Sequence, residues 1–171
     1  FWSIQPKGLK SISAKGEAPT GIADAPKWIN VDYEFDGLNL HWTTEPPDVP
    51  GAAKRGIGAY FEGDKGTLIC DYSSREITIN GETVTDIPEI PQSIPRSPGH
   101  QQNFVDAVKA RTQPESNLAY ARELTLPMHL GLISYRLGRP LQWNAAKEKF
   151  IGDKAANALL YRKPRKKWDL M

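Results

Sequence analysis

The chain has 171 residues, 39% hydrophobic and 25% charged, with a formal net charge of +2. That length holds one ordinary domain, and five Trp, six Tyr and five Phe give it enough apolar bulk for a core, which argues against disorder. Fourteen Gly and fourteen Pro argue against a helix bundle, and the single Cys70 excludes a disulfide framework or a Cys-based zinc site.

The first 24 residues are mixed. Leu9 and Ile12 suit a strand, and Gly16 to Pro26 reads as loop. From Lys27 to Phe35, Ile29, Val31, Tyr33 and Phe35 alternate with Asn30, Asp32 and Glu34. A period of two predicts a strand with one buried face. Asp36-Gly37 follows, then Leu38, Leu40 and Trp42 alternate with polar residues. Asp-Gly between two such runs predicts a type I′ hairpin. Its register sets Phe35 opposite Leu38, Tyr33 opposite Leu40, Val31 opposite Trp42 and Asp32 opposite His41.

Glu45 to Gly51 holds three Pro and reads as loop. Ile57–Phe61 and Thr67–Tyr72 read as strands joined by Glu62-Gly63-Asp64-Lys65-Gly66. Arg75–Ile79, Asn80-Gly81 and Glu82–Thr85 make a second tight hairpin. Short turns imply antiparallel pairing. Ile87 to Pro98 carries four Pro in twelve residues and reads as an extended connector.

Helical signals follow. Ser97-Pro98 is expected to start a helix with Ser97 as cap, carrying Phe104, Val105 and Val108. Thr112-Gln113-Pro114 ends it, and Ser116 is expected to cap the next. There Leu118, Ala121, Thr125, Met128, Leu132 and Tyr135 form a stripe, with Leu124, Leu126, Leu130, Ile133 and Leu137 beside it. So wide a stripe predicts burial on most sides. Pro127 is expected to kink this helix, and Gly138 to cap its end before Pro140. Leu141–Trp143 suits a short strand. Asn144 and Asp153 are each expected to cap a short helix. Residues 1–86 are thus mainly strands, 87–98 a connector, and 99–171 mainly helices. The fold class is α+β, read as a single domain over 1–171.

Few residues carry chemistry. Gly56-Ile57-Gly58 lacks the third glycine of a dinucleotide loop and precedes a strand, which disfavours a nucleotide site there, and Gly63 and Gly66 read as turn residues. His41 reads either as a base paired with Asp32 or as an exposed cross-strand pair, and the second is favoured. His129 reads as a core or interface histidine. His100 stands in the first turn of a helix after the Pro-rich connector, near Gln101, Gln102 and Asn103. Free N–H groups there suit an anionic or hydroxylated ligand, while capping and solvent are the favoured reading. The last 25 residues hold eight Lys or Arg and three Asp or Glu, so the remainder is net acidic. The run Arg162-Lys163-Pro164-Arg165-Lys166-Lys167, near Tyr161 and Trp168, has the composition of a phosphate-contacting patch. The acidic remainder and the lack of a recognised binding motif weigh against nucleic acid. No apolar run reaches the roughly 18 residues of a membrane span.

Three segments carry a resemblance. His100-Gln-Gln-Asn-Phe-Val-Asp-Ala-Val-Lys-Ala-Arg-Thr-Gln-Pro114 resembles a helix of the C-terminal domain of Gfo/Idh/MocA oxidoreductases, relatives of glucose–fructose oxidoreductase and inositol dehydrogenase. Leu130-Gly-Leu-Ile-Ser-Tyr-Arg-Leu-Gly-Arg-Pro-Leu-Gln-Trp143 looks like the following helix and strand. Phe150 to Leu160, with Arg165 to Leu170, is similar to the end of the bacterial branch. The match is good over residues 97–171 and looser at Ala25–Glu34 and Gly63–Leu68. It implies a dihydrodipicolinate-reductase-like α+β domain: an open, mostly antiparallel sheet with helices on one face. The other face is expected to support a homo-oligomer and help close the substrate site. It further implies a preceding Rossmann domain, NAD or NADP as hydride carrier, and a sugar, polyol or derivative as substrate.

The family's glycine fingerprint, its Glu-Lys-Pro lysine and its Asp-x-x-x-His segment are absent from these residues. Hence no catalytic, cofactor or metal residue carries over onto this chain. The fragment alone is expected to be inactive and to bind no cofactor, with Phe1 reading as the inside of a longer polypeptide. His100, Gln101 and Asn103 are the candidates for the substrate's vicinity. A carbohydrate- or protein-binding module is the rival reading. Bacterial cytoplasm and periplasm both remain open as compartments.

Overall fold

The structure, a computed structural model, describes residues 3–23, 25–87, 91–162 and 164–165. Nine strands and three α-helices are defined among them. They fall into two compact units, one comprising residues up to Thr44 with those from Gly99 onward, the other Glu45–Pro98. Strand signals alone run the whole of 1–86 together; packing instead sets 45–98 apart.

The larger unit is a five-stranded antiparallel sheet. Its strands are β1 (Ser11–Gly16), β2 (Ile29–Phe35), β3 (Leu38–Thr43), β8 (Leu141–Asn144) and β9 (Lys149–Phe150), in the order β3-β2-β1-β8-β9. The β2–β3 register is the one alternation predicts: Phe35 faces Leu38, Tyr33 faces Leu40, Val31 faces Trp42 and Asp32 faces His41. The turn differs from expectation. Only Gly37 has positive φ (68°), so Asp36-Gly37 has the pattern of a type II rather than a type I′ turn. Asp36 is held from outside the hairpin: its N–H donates to Lys7 O (3.0 Å), and its carboxylate pairs with Lys10 Nζ (3.0 Å).

Helix α1 (His100–Ala110) and helix α2 (Leu118–Leu137) follow the Pro-rich connector. α1 starts later than Ser97-Pro98 suggests, with Gly99 as N-cap at φ 99°. The cap of α2 is Asn117, one residue beyond Ser116, and its side chain accepts from Tyr120 N–H at 3.0 Å. Gly138 (φ 65°) closes α2 as expected. α2 packs across β1 and β2, and Pro127, Leu130, Gly131, Ile133 and Ser134 are buried. Burial on most sides, the expectation from its width, does not hold among the described residues. Leu118 and Met128 are 89% and 55% exposed, and His129 is exposed rather than in a core. The core joins Leu9, Ile12, Val31, Tyr33 and Phe35 to Leu130, Leu141, Trp143 and Phe150.

Asn144 does not cap a helix. It ends β8, its Oδ1 accepts from Lys147 N–H (2.9 Å), and the chain returns as β9 through Glu148 at φ 50°. Trp143 and Phe150 close this hairpin edge to face, 5.0 Å apart at 72°. Asp153 does cap a helix, α3 (Lys154–Ala158), accepting from Ala156 N–H at 2.9 Å.

The smaller unit is a four-stranded antiparallel meander of β4 (Ala59–Gly63), β5 (Gly66–Cys70), β6 (Arg75–Ile79) and β7 (Glu82–Thr83). Asn80-Gly81 forms the predicted tight hairpin between β6 and β7, with both residues at positive φ (51° and 85°). Gly66 is required by close approach: a Cβ there would lie 1.9 Å from Thr78 O. One sheet face carries Ile69, buried with Ala52 of a short 3₁₀ turn. Arg55 lies close by, donating to Gly51 O (2.8 Å) and Ser74 Oγ (3.1 Å) and pairing with Asp71 (3.2 Å). The opposite face shows the cross-strand row Phe61, Leu68 and Ile77.

Candidate functional site

His100 and Gln101 are exposed in the first turn of α1. No side chain at Gly99 caps that turn, and Asn103 N–H closes it on Gly99 O at 2.9 Å. The first turn of a helix presents N–H donors and the positive end of the helix dipole. The three candidates do not serve alike. The amide oxygen of Asn103 accepts from Glu115 N–H (3.0 Å), fixing α1 to the connection that leads into α2. Gln102 is drawn along the helix to Asp106 (2.7 Å).

His41 and Asp32 form the cross-strand pair that register predicts, Nδ1 to Oδ1 at 2.6 Å, with both side chains largely exposed. They belong to a wider polar surface that single residues did not reveal. A hollow of about 340 Å³ lies over the sheet face away from α2, lined by Ser11, Ser13, Asp32, Glu34, Asn39 and His41 among others. Ser11 Oγ donates to Glu34 at 2.8 Å. The signal was in the alternation: these are the out-facing positions of β1, β2 and β3. The larger apolar sheet surface is in the smaller unit, where a hollow of about 310 Å³ is lined by Phe61, Leu68, Ile77 and Ile79 among others.

Two carboxylates are held well below their ordinary range. Arg139 and the N–H of Ala156 lower Asp153 to about 2. The N–H groups and hydroxyls of Ser73 and Ser74 lower Asp71 to about 2. Both are structural: one caps a helix, the other closes a turn. Among the described residues no group of three or more His, Cys, Asp or Glu is placed to hold a metal ion. No described helix is long and apolar enough to cross a membrane. Gly56 and Gly58 lead into β4, and the helices are entered from Gly99, Asn117 and Asp153. The glycine-rich turn running into a helix that cradles a dinucleotide's phosphates in Rossmann folds is not formed at Gly56 and Gly58. Of the basic run, Lys163, Lys166 and Lys167 lie outside the described residues, as do residues 168–171.

Two antiparallel sheets, one with helices on a single face, define an α+β domain. Its helical half exposes polar groups at the start of α1. The model of the oxidoreductase family's C-terminal alpha/beta domain matches residues 21–170, and the chain belongs to that family, the Gfo/Idh/MocA oxidoreductases. The fold is also similar to that of an NAD-binding protein from Listeria innocua, with a TM-score of 0.52 and 19% identity over 80% of this chain. The match spans only 42% of that protein's length. No curated protein matches.

Proposed function

We propose that the chain is the substrate-side and oligomerisation domain of an NAD(P)-dependent oxidoreductase acting on a sugar, polyol or derivative. The observation that carries this reading is the family match over residues 21–170, to a domain described as the C-terminal part of an oxidoreductase. A Rossmann domain preceding it in the same polypeptide supplies the nicotinamide, which accepts or donates hydride when bound. His100 and Gln101, exposed in the first turn of α1, lie in the substrate's vicinity and contact its hydroxyl groups. Asn103 keeps that turn in place through Glu115. All three act on binding more than on the chemical step, since the proton-managing residues belong upstream.

The test is kinetic and uses the full-length enzyme. His100→Ala is expected to raise KM about tenfold with kcat little changed, the mark of lost ground-state and transition-state binding together. Unchanged KM and kcat would remove His100 from the site. A full-length chain that binds neither NAD(H) nor NADP(H) in a calorimetric titration would overturn the whole reading.

The oligomer is proposed through the four-stranded sheet, where Phe61, Leu68, Ile77 and Ile79 line an open apolar face. Leu68→Lys is expected to convert the full-length oligomer to monomers in light scattering. A monomeric parent protein would sink this part.

A further inference from the structure

Asparagine followed by glycine is chemically exposed, because glycine sets no side chain in the way of attack by its own amide nitrogen. The chain holds one such pair, Asn80-Gly81, in the tight turn between β6 and β7. Both residues are exposed, and a Cβ at Gly81 would meet nothing within 4 Å. Asn80 N–H donates to Lys65 O at 3.2 Å, but neither the Asn80 side chain nor the Gly81 N–H has a hydrogen-bond partner among the described residues. Beyond the turn, β7 is only Glu82 and Thr83, at the edge of the sheet. So short an edge opens locally at small cost.

Elsewhere the same chemistry is obstructed. The side chains of Asn103, Asn117, Asn144 and Asn157 each accept a backbone N–H at 2.9–3.0 Å, and each is followed by a residue with a side chain. Asp36-Gly37 shares the glycine, but the Asp36 carboxylate pairs with Lys10 Nζ at 3.0 Å, and a carboxylate held in an ion pair is a poor electrophile.

We infer that Asn80 is a site of spontaneous deamidation. The Gly81 amide nitrogen, giving up its proton to base, attacks Cγ of Asn80. The bond from Cγ to the side-chain nitrogen breaks, ammonia leaves with a proton taken from the medium, and a succinimide ring closes. Water then opens the ring at either carbonyl, leaving aspartate or isoaspartate with no redox change. The conversion adds a negative charge between Ile79, which lines the apolar hollow of the four-stranded sheet, and Glu82.

The test incubates the full-length polypeptide in mildly alkaline buffer, natively and in urea, and follows acid formation at each asparagine by peptide mass spectrometry. Native conversion at Asn80 is expected to be at least about tenfold faster than at Asn103 or Asn117, whose side chains must first leave their hydrogen bonds. It is also expected to lie within about tenfold of the rate at Asn80 in urea, because little has to open. Both aspartate and isoaspartate are expected, since the ring opens either way. Asn80→Gln, which would have to close a larger ring, is expected to abolish the conversion at that position. A native rate at Asn80 no faster than at Asn103 overturns the inference, as does one more than about tenfold below its own rate in urea, which would mean that the turn protects it. Aspartate without isoaspartate is the mark of direct hydrolysis and overturns it too.

Discussion

The hydroxyl of Tyr33, on β2, donates to the carbonyl oxygen of Pro127, inside α2, at 3.0 Å. Tyr33 is 5% exposed, and burial pushes its phenol above the ordinary tyrosine range, so it stays a donor. The bond marks where the long helix crosses the sheet. Gly131, one turn on, makes the approach possible: a Cβ there would sit 2.7 Å from Tyr33 Oη and 3.0 Å from Val31 Cγ1. Tyr33→Phe removes the bond and little else. It is expected to cost about 1 kcal/mol in urea unfolding, the usual net worth of one hydrogen bond.

Gly131→Ala sets two effects against each other. Alanine is favoured in a helix by about 1 kcal/mol, while overpacking costs about 1–3 kcal/mol. Val31 is 2% exposed and hemmed in, so the clash is expected to win and the variant to be less stable. The cycle with Tyr33→Phe isolates the cause. Without the hydroxyl, the alanine is expected to cost less than in the parent, a coupling readable in paired denaturation curves. Equal costs in both backgrounds would mean that Val31, not Tyr33, sets the limit.

Ser134 does for β1 what a neighbouring strand would do. β8 pairs with β1 at Ser11 and Ile12, and further along the N–H of Ala14 finds Ser134 Oγ at 3.0 Å. The same hydroxyl reaches Arg139 O at 2.9 Å. Ser134→Ala leaves a buried donor unpaired and is expected to cost about 1–3 kcal/mol. Faster amide exchange at Ala14 in the variant would locate the loss; an unchanged rate would refute the assignment.

How much of this was legible depended on whether the signal was local. A period of two and a two-residue loop were enough for the register from Phe35/Leu38 to Asp32/His41. Asn80-Gly81 and Gly138 were readable because positive φ selects those residues. Helix starts slipped by one or two residues because capping residues stand side by side, as Ser116 and Asn117 do. The β1–β8 pairing joins residues 131 apart in sequence, Ser11 with Gln142, and leaves no local trace. The division of the strands into two sheets was hidden for the same reason. Of the candidate site, the helical placement of His100, Gln101 and Asn103 was legible. The tie from Asn103 to Glu115 was not, since it spans the end of one helix and the approach to the next.

Arg55 organises the smaller unit. Its side chain is 8% exposed and ties the 3₁₀ turn, through Gly51 O, to the Ser74 turn beyond β5. Asp71 keeps its bonds from Ser73 and Ser74 without it. Arg55→Ala is therefore expected to loosen residues 45–58 first, at about 1.5–3 kcal/mol for hydrogen bonds from a charged group. Limited proteolysis within 45–58, with residues 99–162 still protected, is the expected result. Even cleavage across both units would mean that Arg55 supports more than its own.

Asp71 and Asp153 give the fold an acid limit. Each is held at about 2, below an unfolded value near 3.8. A depressed folded pKa means that the unfolded chain binds protons first as pH falls. The stabilisation is thus complete above about pH 4 and is lost between roughly pH 4 and pH 2. Asp153→Asn keeps a good helix cap but loses the charge opposite Arg139. At neutral pH it is expected to be less stable than the parent, and near pH 2 almost equal to it. Asp71→Asn is expected to follow the same course in the smaller unit. Urea midpoints measured from pH 7 to pH 2 check both, and a gap between variant and parent that stays constant across that range would show that proton linkage is not the cause.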